Sequence, residues 1–127
     1  RPHFRDEHLL GPVERLEAVA WDEAALAHQL DHTDLIVNAT SLGMKRTDPD
    51  LLPANLIQPH HLIYDMVYKP ARTKLIATAE AAGARAINGL SMLLHQGAIS
   101  FETWFNRPAP LGVMRKALQT AAAEANR

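Results

Sequence analysis

Short apolar runs alternate with helical segments along this chain, and that alternation limits the folds it can adopt. Two runs, 34–38 (DLIVN) and 61–68 (HLIYDMVY), are too short for helices and suit buried strands. Shorter strands are predicted at 16–21 and 84–87, and helices at 22–30, 73–82, 90–105 and 111–126. Strands that alternate with helices favour a parallel sheet, so the predicted fold class is α/β.

The length of 127 residues is typical of a single domain. The sequence divides into three segments that differ in composition and predicted structure. Residues 1–12 are polar and predict an irregular amino-terminal segment. Residues 13–105 hold the predicted sheet with its helices, and 110–127 a carboxyl-terminal helix. The stretch 45–60 contains three prolines and predicts a long connection with about one helical turn.

Composition excludes several classes of function. The net charge of -1 provides no basic field for nucleic acid or an anionic membrane. No apolar run approaches the roughly 20 residues of a membrane span. The absence of cysteine excludes disulfides and thiolate metal sites, and it fits a cytoplasmic protein. Seven histidines are present, but their spacing forms no recognisable metal-ligand set, so no metal site is predicted.

Small polar residues follow the first apolar run, at the end of a strand where parallel sheets bind ligands. Asn38, Thr40 and Ser41 offer hydrogen-bonding groups, and Ala39 leaves room for a ligand close to the backbone. The same residues are common in plain turns, and the pattern alone favours a turn.

The second apolar run ends in Met66 and Tyr68, which form another candidate site. A tyrosine at the end of a strand can present its hydroxyl to a substrate, and a methionine can line a flat ring. Packing at the rim of the sheet is the commoner fate of both residue types.

A third candidate site lies at the start of the helix predicted over 90–105. Gly89 precedes that helix, where free backbone amides favour carbonyl or anionic groups. Met92 and Gln96 are four residues apart and share one helix face. The alternative is a gap-filling methionine and a solvent-exposed glutamine.

Taken together, these segments resemble the shikimate dehydrogenase family in order and spacing. The resemblance lies in 34–44 (DLIVNATSLGM), in 65–70 (DMVYKP) with Thr73, and in 89–98 (GLSMLLHQGA) with the aromatic residues that follow. It runs from about Trp21 to the end of the chain. The fold implied is the second half of a doubly wound, Rossmann-like nucleotide domain, that is, an incomplete parallel sheet.

The resemblance also implies an activity and roles for particular residues. The family catalyses NADP-linked interconversion of 3-dehydroshikimate and shikimate, a step toward aromatic amino acids. Tyr68 and Gln96 match positions that bind the substrate. The residues that match cofactor positions are Asn38, Ala39, Thr40, Ser41, Met66, Gly89 and Met92.

The family's remaining machinery has no counterpart in this sequence. Its catalytic lysine and aspartate lie in an amino-terminal substrate domain, and its glycine-rich pyrophosphate turn precedes the matching region. We therefore expect no catalytic residue in this chain and little activity without a partner domain or matching half-chain. We also expect strand 34–38 to have a free edge, and Leu111, Met114 and Leu118 to be exposed.

Two alternatives remain open at this stage. One is a quinate/shikimate dehydrogenase that uses NAD, since the residues that select the cofactor lie outside the resemblance. The other is a non-catalytic half of a nucleotide domain that pairs with another chain.

Overall fold

The computed structural model describes residues 16–125, which form a three-stranded parallel sheet with four helices. The elements in chain order are α1 (Glu23–Leu30), β1 (Leu35–Asn38), β2 (Leu62–Asp65), α2 (Lys74–Ala81), β3 (Arg85–Ile87), α3 (Leu90–Phe105) and α4 (Leu111–Ala125). A single 3-10 turn at Ala54–Leu56 interrupts the connection between β1 and β2. The predicted α/β class and the predicted helical turn are therefore confirmed.

Local signals set the ends of the helices. The Asp22 carboxylate accepts a hydrogen bond from the Ala25 N–H at 2.9 Å and begins α1. The Thr73 hydroxyl does the same for the Ile76 N–H at 3.3 Å and begins α2. Gly83, with φ of 79°, follows the end of α2, where a left-handed residue ends the helix without a Cβ clash.

The sheet has the strand order β1-β2-β3, and both pairs of strands are parallel. Ile36, Ile63 and Ala86 lie side by side in the register. They face a core made with the helices and the long connection. The buried members of that core are Leu30, Leu52, Ile57, Ile63, Leu75, Ala79 and Ala84.

The opposite face of the sheet is largely uncovered. Leu35, Val37 and Ile87 point to that face and are 53%, 48% and 49% exposed. β1 also has no neighbour on its outer side among residues 16–125, as expected for strand 34–38. Strands of parallel sheets are normally covered on both faces. Here one face of the sheet offers an apolar surface, and β1 offers a free edge.

One strand prediction is wrong, and another is wrong in extent. Residues 16–20 are exposed and form no strand, although their apolar alternation predicted one at 16–21. A strand needs a hydrogen-bonded neighbour, and no described strand pairs with this segment. The run 61–68 forms a strand only over Leu62–Asp65, because residues 66–68 leave the sheet toward the start of α3.

α3 and α4 form a helical hairpin. Their connection begins at Asn106, which has φ of 48° and ends α3. The expected exposure of the α4 face is wrong in part. Leu111 is 38% exposed, but Met114 and Leu118 are half-buried because α4 packs back on α3.

Some expectations fall outside the described residues. The predicted irregular segment 1–12 does so entirely, and the division of the chain into 13–105 and 110–127 stays a prediction. No helix within residues 16–125 is both long enough and apolar enough to cross a membrane.

Candidate active site

The carboxyl ends of β1 and β2 lie side by side, which brings two predicted loops together. Asn38 and Asp65 end the two strands and are partners in the register. After each of them the chain leaves the sheet at the carboxyl ends of the strands, into residues 39–44 and 66–70. Parallel α/β sheets bind their ligands beyond these carboxyl ends.

A buried hydrogen-bond network fixes both strand ends. The Asn38 amide donates to an Asp65 carboxylate oxygen and to the Leu42 carbonyl, each at 3.0 Å. The other Asp65 oxygen accepts from the Thr73 hydroxyl, which also begins α2. All three side chains are at most 2% exposed, so this network joins β1, β2 and α2 behind the site.

Asn38 acts on its loop from within the protein. Its side-chain oxygen accepts from the backbone N–H of Thr40 at 3.0 Å and from the Thr40 hydroxyl at 2.7 Å. With both amide hydrogens also used, the Asn38 side chain is fully occupied. It therefore shapes the loop that presents Ala39 and Thr40.

A cleft of about 460 Å³ opens between these loops and α3. Its walls consist of Ala39, Thr40, Met44, Met66, Val67, Tyr68, Lys69 and Met92. They are mostly apolar, with the Thr40 hydroxyl, the Tyr68 phenol and the Lys69 amine as polar groups. Such a lining suits a flat organic ring with a few oriented polar substituents.

Five predicted site residues line this cleft together: Ala39, Thr40, Met66, Tyr68 and Met92. Gln96 and Ser41 are exposed and do not line it. Gln96 lies on α3 one turn beyond Met92, toward the carboxyl end of that helix. Asn38 and Gly89 are buried behind the wall.

Gly89 is needed for the backbone to pass close to Met66. A Cβ at this position would lie 2.1 Å from the Met66 carbonyl oxygen, closer than any real contact. The Gly89 N–H donates to the Val67 carbonyl at 3.2 Å, and its carbonyl accepts from the Leu93 N–H at 3.0 Å. The glycine thus ties the start of α3 to the chain that leaves β2, and its N–H is not free for a ligand.

A closed turn holds Met44 at the mouth of the cleft. One Asp48 carboxylate oxygen accepts from the N–H groups of Gly43 at 2.9 Å and Lys45 at 3.0 Å. The hydrogen bond from the Lys45 N–H is the largest cause that lowers the pKa of Asp48, and the Gly43 N–H and nearby lysines add to it. Gly43 itself has φ of 101°, which a residue with a side chain rarely adopts.

Sequence reasoning assigned no role to Met44, Lys69, Asp65 or Thr73. Met44 and Lys69 lie in the segments 34–44 and 65–70, close to predicted site residues. That closeness was the only feature of the sequence that could have pointed to them. The pairing of Asp65 with Thr73 spans eight residues across a strand end and a helix cap, which no periodicity reveals. No group of three histidines, aspartates or glutamates in the described part of the chain is placed to hold a metal ion.

The parallel sheet, its flanking helices and the cleft at the strand ends define the Rossmann-like class of α/β domains. The family model described as Shikimate 5'-dehydrogenase C-terminal domain matches residues 89–119. The shikimate dehydrogenase (NADP(+)) of Moorella thermoacetica is 42% identical over 100 residues, which are 78% of this chain and 34% of that protein. The chain belongs to the shikimate dehydrogenase family.

Solved structures agree with this assignment. A shikimate 5-dehydrogenase from Listeria monocytogenes, in complex with shikimate and NAD, superposes with a TM-score of 0.68 at 34% identity. The match covers 76% of this chain and 34% of that one. A Thermus thermophilus shikimate 5-dehydrogenase with NADP(H) and shikimate gives a TM-score of 0.66 at 32% identity, over 75% and 36%. The chain thus spans about a third of the length of these relatives.

Proposed function

We propose that this chain supplies the cofactor-ring and substrate-edge part of an NADP-linked shikimate dehydrogenase. That enzyme would interconvert 3-dehydroshikimate and shikimate. The observation that carries the proposal is the cleft at the ends of β1 and β2, which is lined by five residues matched to the family's ligand positions. We favour NADP over NAD because the relative from Moorella thermoacetica is a shikimate dehydrogenase (NADP(+)).

The lining fits the nicotinamide end of the cofactor. Met66 and Met92 provide polarisable apolar surface, and Ala39 and Thr40 provide a small polar loop for the attached ribose. The nicotinamide supplies the hydride chemistry when it is bound. The residues of this chain bind and orient the ring and shield it from water.

Tyr68 and Gln96 are proposed to hold the substrate beside that ring. The Tyr68 side chain is 42% exposed, and no described group hydrogen-bonds to its hydroxyl, so the hydroxyl is available to a ligand. Gln96 is exposed one helical turn beyond Met92, and its amide can donate and accept at once. Proton transfer is assigned to the lysine and aspartate of an amino-terminal domain, because no residue of this chain matches them.

The sheet itself supports the need for further polypeptide. α1 and α2 both pack on the same face, in the core around Ile63. Crossover connections are right-handed, so a strand that precedes α1 belongs on the free-edge side of β1. Further strands there, with their own helices, would cover Leu35 and Val37.

Two variants test the substrate roles in a longer chain, in which this sequence follows the amino-terminal part of a relative. We expect Tyr68→Phe and Gln96→Ala to raise the KM for shikimate by about tenfold, the effect of losing one hydrogen bond of 1–1.5 kcal/mol. The KM for NADP should change less than twofold. Steady-state kinetics of shikimate oxidation measure both values.

Matched controls are available for both changes. Tyr64→Phe removes the only other tyrosine hydroxyl, on β2, and Gln119→Ala removes an exposed amide on α4. Both should leave the two KM values unchanged. A larger effect on NADP than on shikimate would reverse the assigned roles of Tyr68 and Gln96.

A further inference from the structure

Three of the four methionines in this chain line the same cleft. They are Met44, Met66 and Met92, and each comes from a different part of the chain: the loop after β1, the segment after β2, and α3. The fourth, Met114, is on α4, and its terminal methyl packs near Gly97 of α3. Methionines are therefore concentrated at the cleft, and Met44 is the one without an assigned role.

Met44 is exposed, but its backbone is held in place. Its side chain is 57% exposed, so a ligand that covered it would remove apolar surface from water. Asp48 binds the N–H groups on both sides of it, and the Lys74 amine donates to the Asp48 carbonyl at 2.8 Å. The turn thus presents an apolar side chain to the cleft from a fixed backbone.

A neutral thioether suits a ring whose charge changes during the reaction. The oxidised nicotinamide ring is cationic and the reduced ring is neutral. A negatively charged neighbour would favour the oxidised form, whereas a polarisable neutral sulfur contacts both forms. Walls of this kind do not favour either form of the ring through their charge.

We propose that Met44 completes, with Met66 and Met92, a three-thioether wall around the nicotinamide ring of the cofactor. This inference rests on the proposed function and adds to it a residue that contacts the ring. Covering the exposed Met44 side chain with the ring would stabilise the complex, and the Asp48 turn would limit the entropy lost on binding.

Methyl NMR tests the wall directly, in the longer chain in which this sequence follows the amino-terminal part of a relative. With the methionine ε-methyl groups labelled with ¹³C, the four signals are assigned by changing each methionine to leucine in turn. The probe is nicotinamide mononucleotide, which carries the ring, ribose and one phosphate. Ribose 5-phosphate is the matched control because it lacks only the ring.

We expect nicotinamide mononucleotide to shift the Met44, Met66 and Met92 signals with one common saturation curve, and to leave Met114 unmoved. Ribose 5-phosphate should move none of the four. Shifts at Met66 and Met92 without one at Met44 would overturn this inference and leave the proposed function standing. The absence of shifts at all three residues would overturn both.

A variant measures the contribution of Met44. Met44→Ala should weaken the binding of nicotinamide mononucleotide about two- to tenfold, the range for one sulfur–aromatic contact. Val113→Ala, at an α4 side chain that is 70% exposed, should leave it unchanged. Unaltered affinity in Met44→Ala would also overturn the inference, as would a shift of Met114 as large as the other three.

Discussion

Residues that serve the cleft do so in two different ways. Met66, Tyr68 and Met92 line it with their own side chains. Asn38 and Gly89 stand behind the wall and set its shape, the first through four side-chain hydrogen bonds and the second through its missing Cβ. In the sequence, a short polar or small residue near the end of a strand looks the same whether it lines the cleft or supports it from behind. The sequence therefore located these positions without distinguishing contact from support.

Gly89→Ala tests the support role. The added Cβ would overlap the Met66 carbonyl, so the start of α3 must move away from the chain that leaves β2. We expect the free energy of unfolding to fall by about 1–3 kcal/mol, as in other overpacked sites. Urea denaturation measures this loss.

Gly112→Ala is the matched control, because a Cβ there meets nothing within 4 Å. This change should preserve stability or raise it by up to about 1 kcal/mol, since alanine favours helices over glycine. Equal stabilities for the two variants would mean that Gly89 and Met66 are not in close contact.

Elements with strong local signals were predicted well. β1, β2, α2 and α3 follow from their apolar runs and caps, and their bounds agree within a few residues. The strand predicted at 16–21 failed because alternation describes one segment, whereas a strand also needs a neighbour. The packing of Met114 and Leu118 on α3 was missed for the same reason. The helical spacing of apolar residues shows which face of a helix is apolar, but it does not show which element packs against that face.

The two helix caps differ in what lies behind them. Asp22 caps α1 at an exposed position, whereas Thr73 caps α2 and also donates to the buried Asp65 carboxylate. Asp22→Ala should cost about 1 kcal/mol, the usual value of a cap. Thr73→Ala should cost about 2–4 kcal/mol, because it also leaves a buried acceptor unpaired.

Chemical denaturation of both variants measures the difference between the caps. Thr73→Ser keeps the hydroxyl and should restore most of the lost stability. Similar losses for Asp22→Ala and Thr73→Ala would show that the Asp65 network contributes little.

The molecule as a whole combines a cleft at the strand ends with a sheet that is covered on one face. One face of the sheet packs on a core with α1 and α2, while the face that carries Leu35, Val37 and Ile87 is exposed. The cleft is lined by residues that we propose face the ligands. We propose that further polypeptide covers the open face and that the proposed activity requires it.

The most direct measurement compares the rate of NADPH formation from shikimate and NADP for two proteins. One is this chain alone, and the other is the chain joined to the amino-terminal part of a relative. We predict turnover by the joined protein and none by the chain alone. Ordinary turnover by the chain alone would contradict the account, as would a folded joined protein without activity.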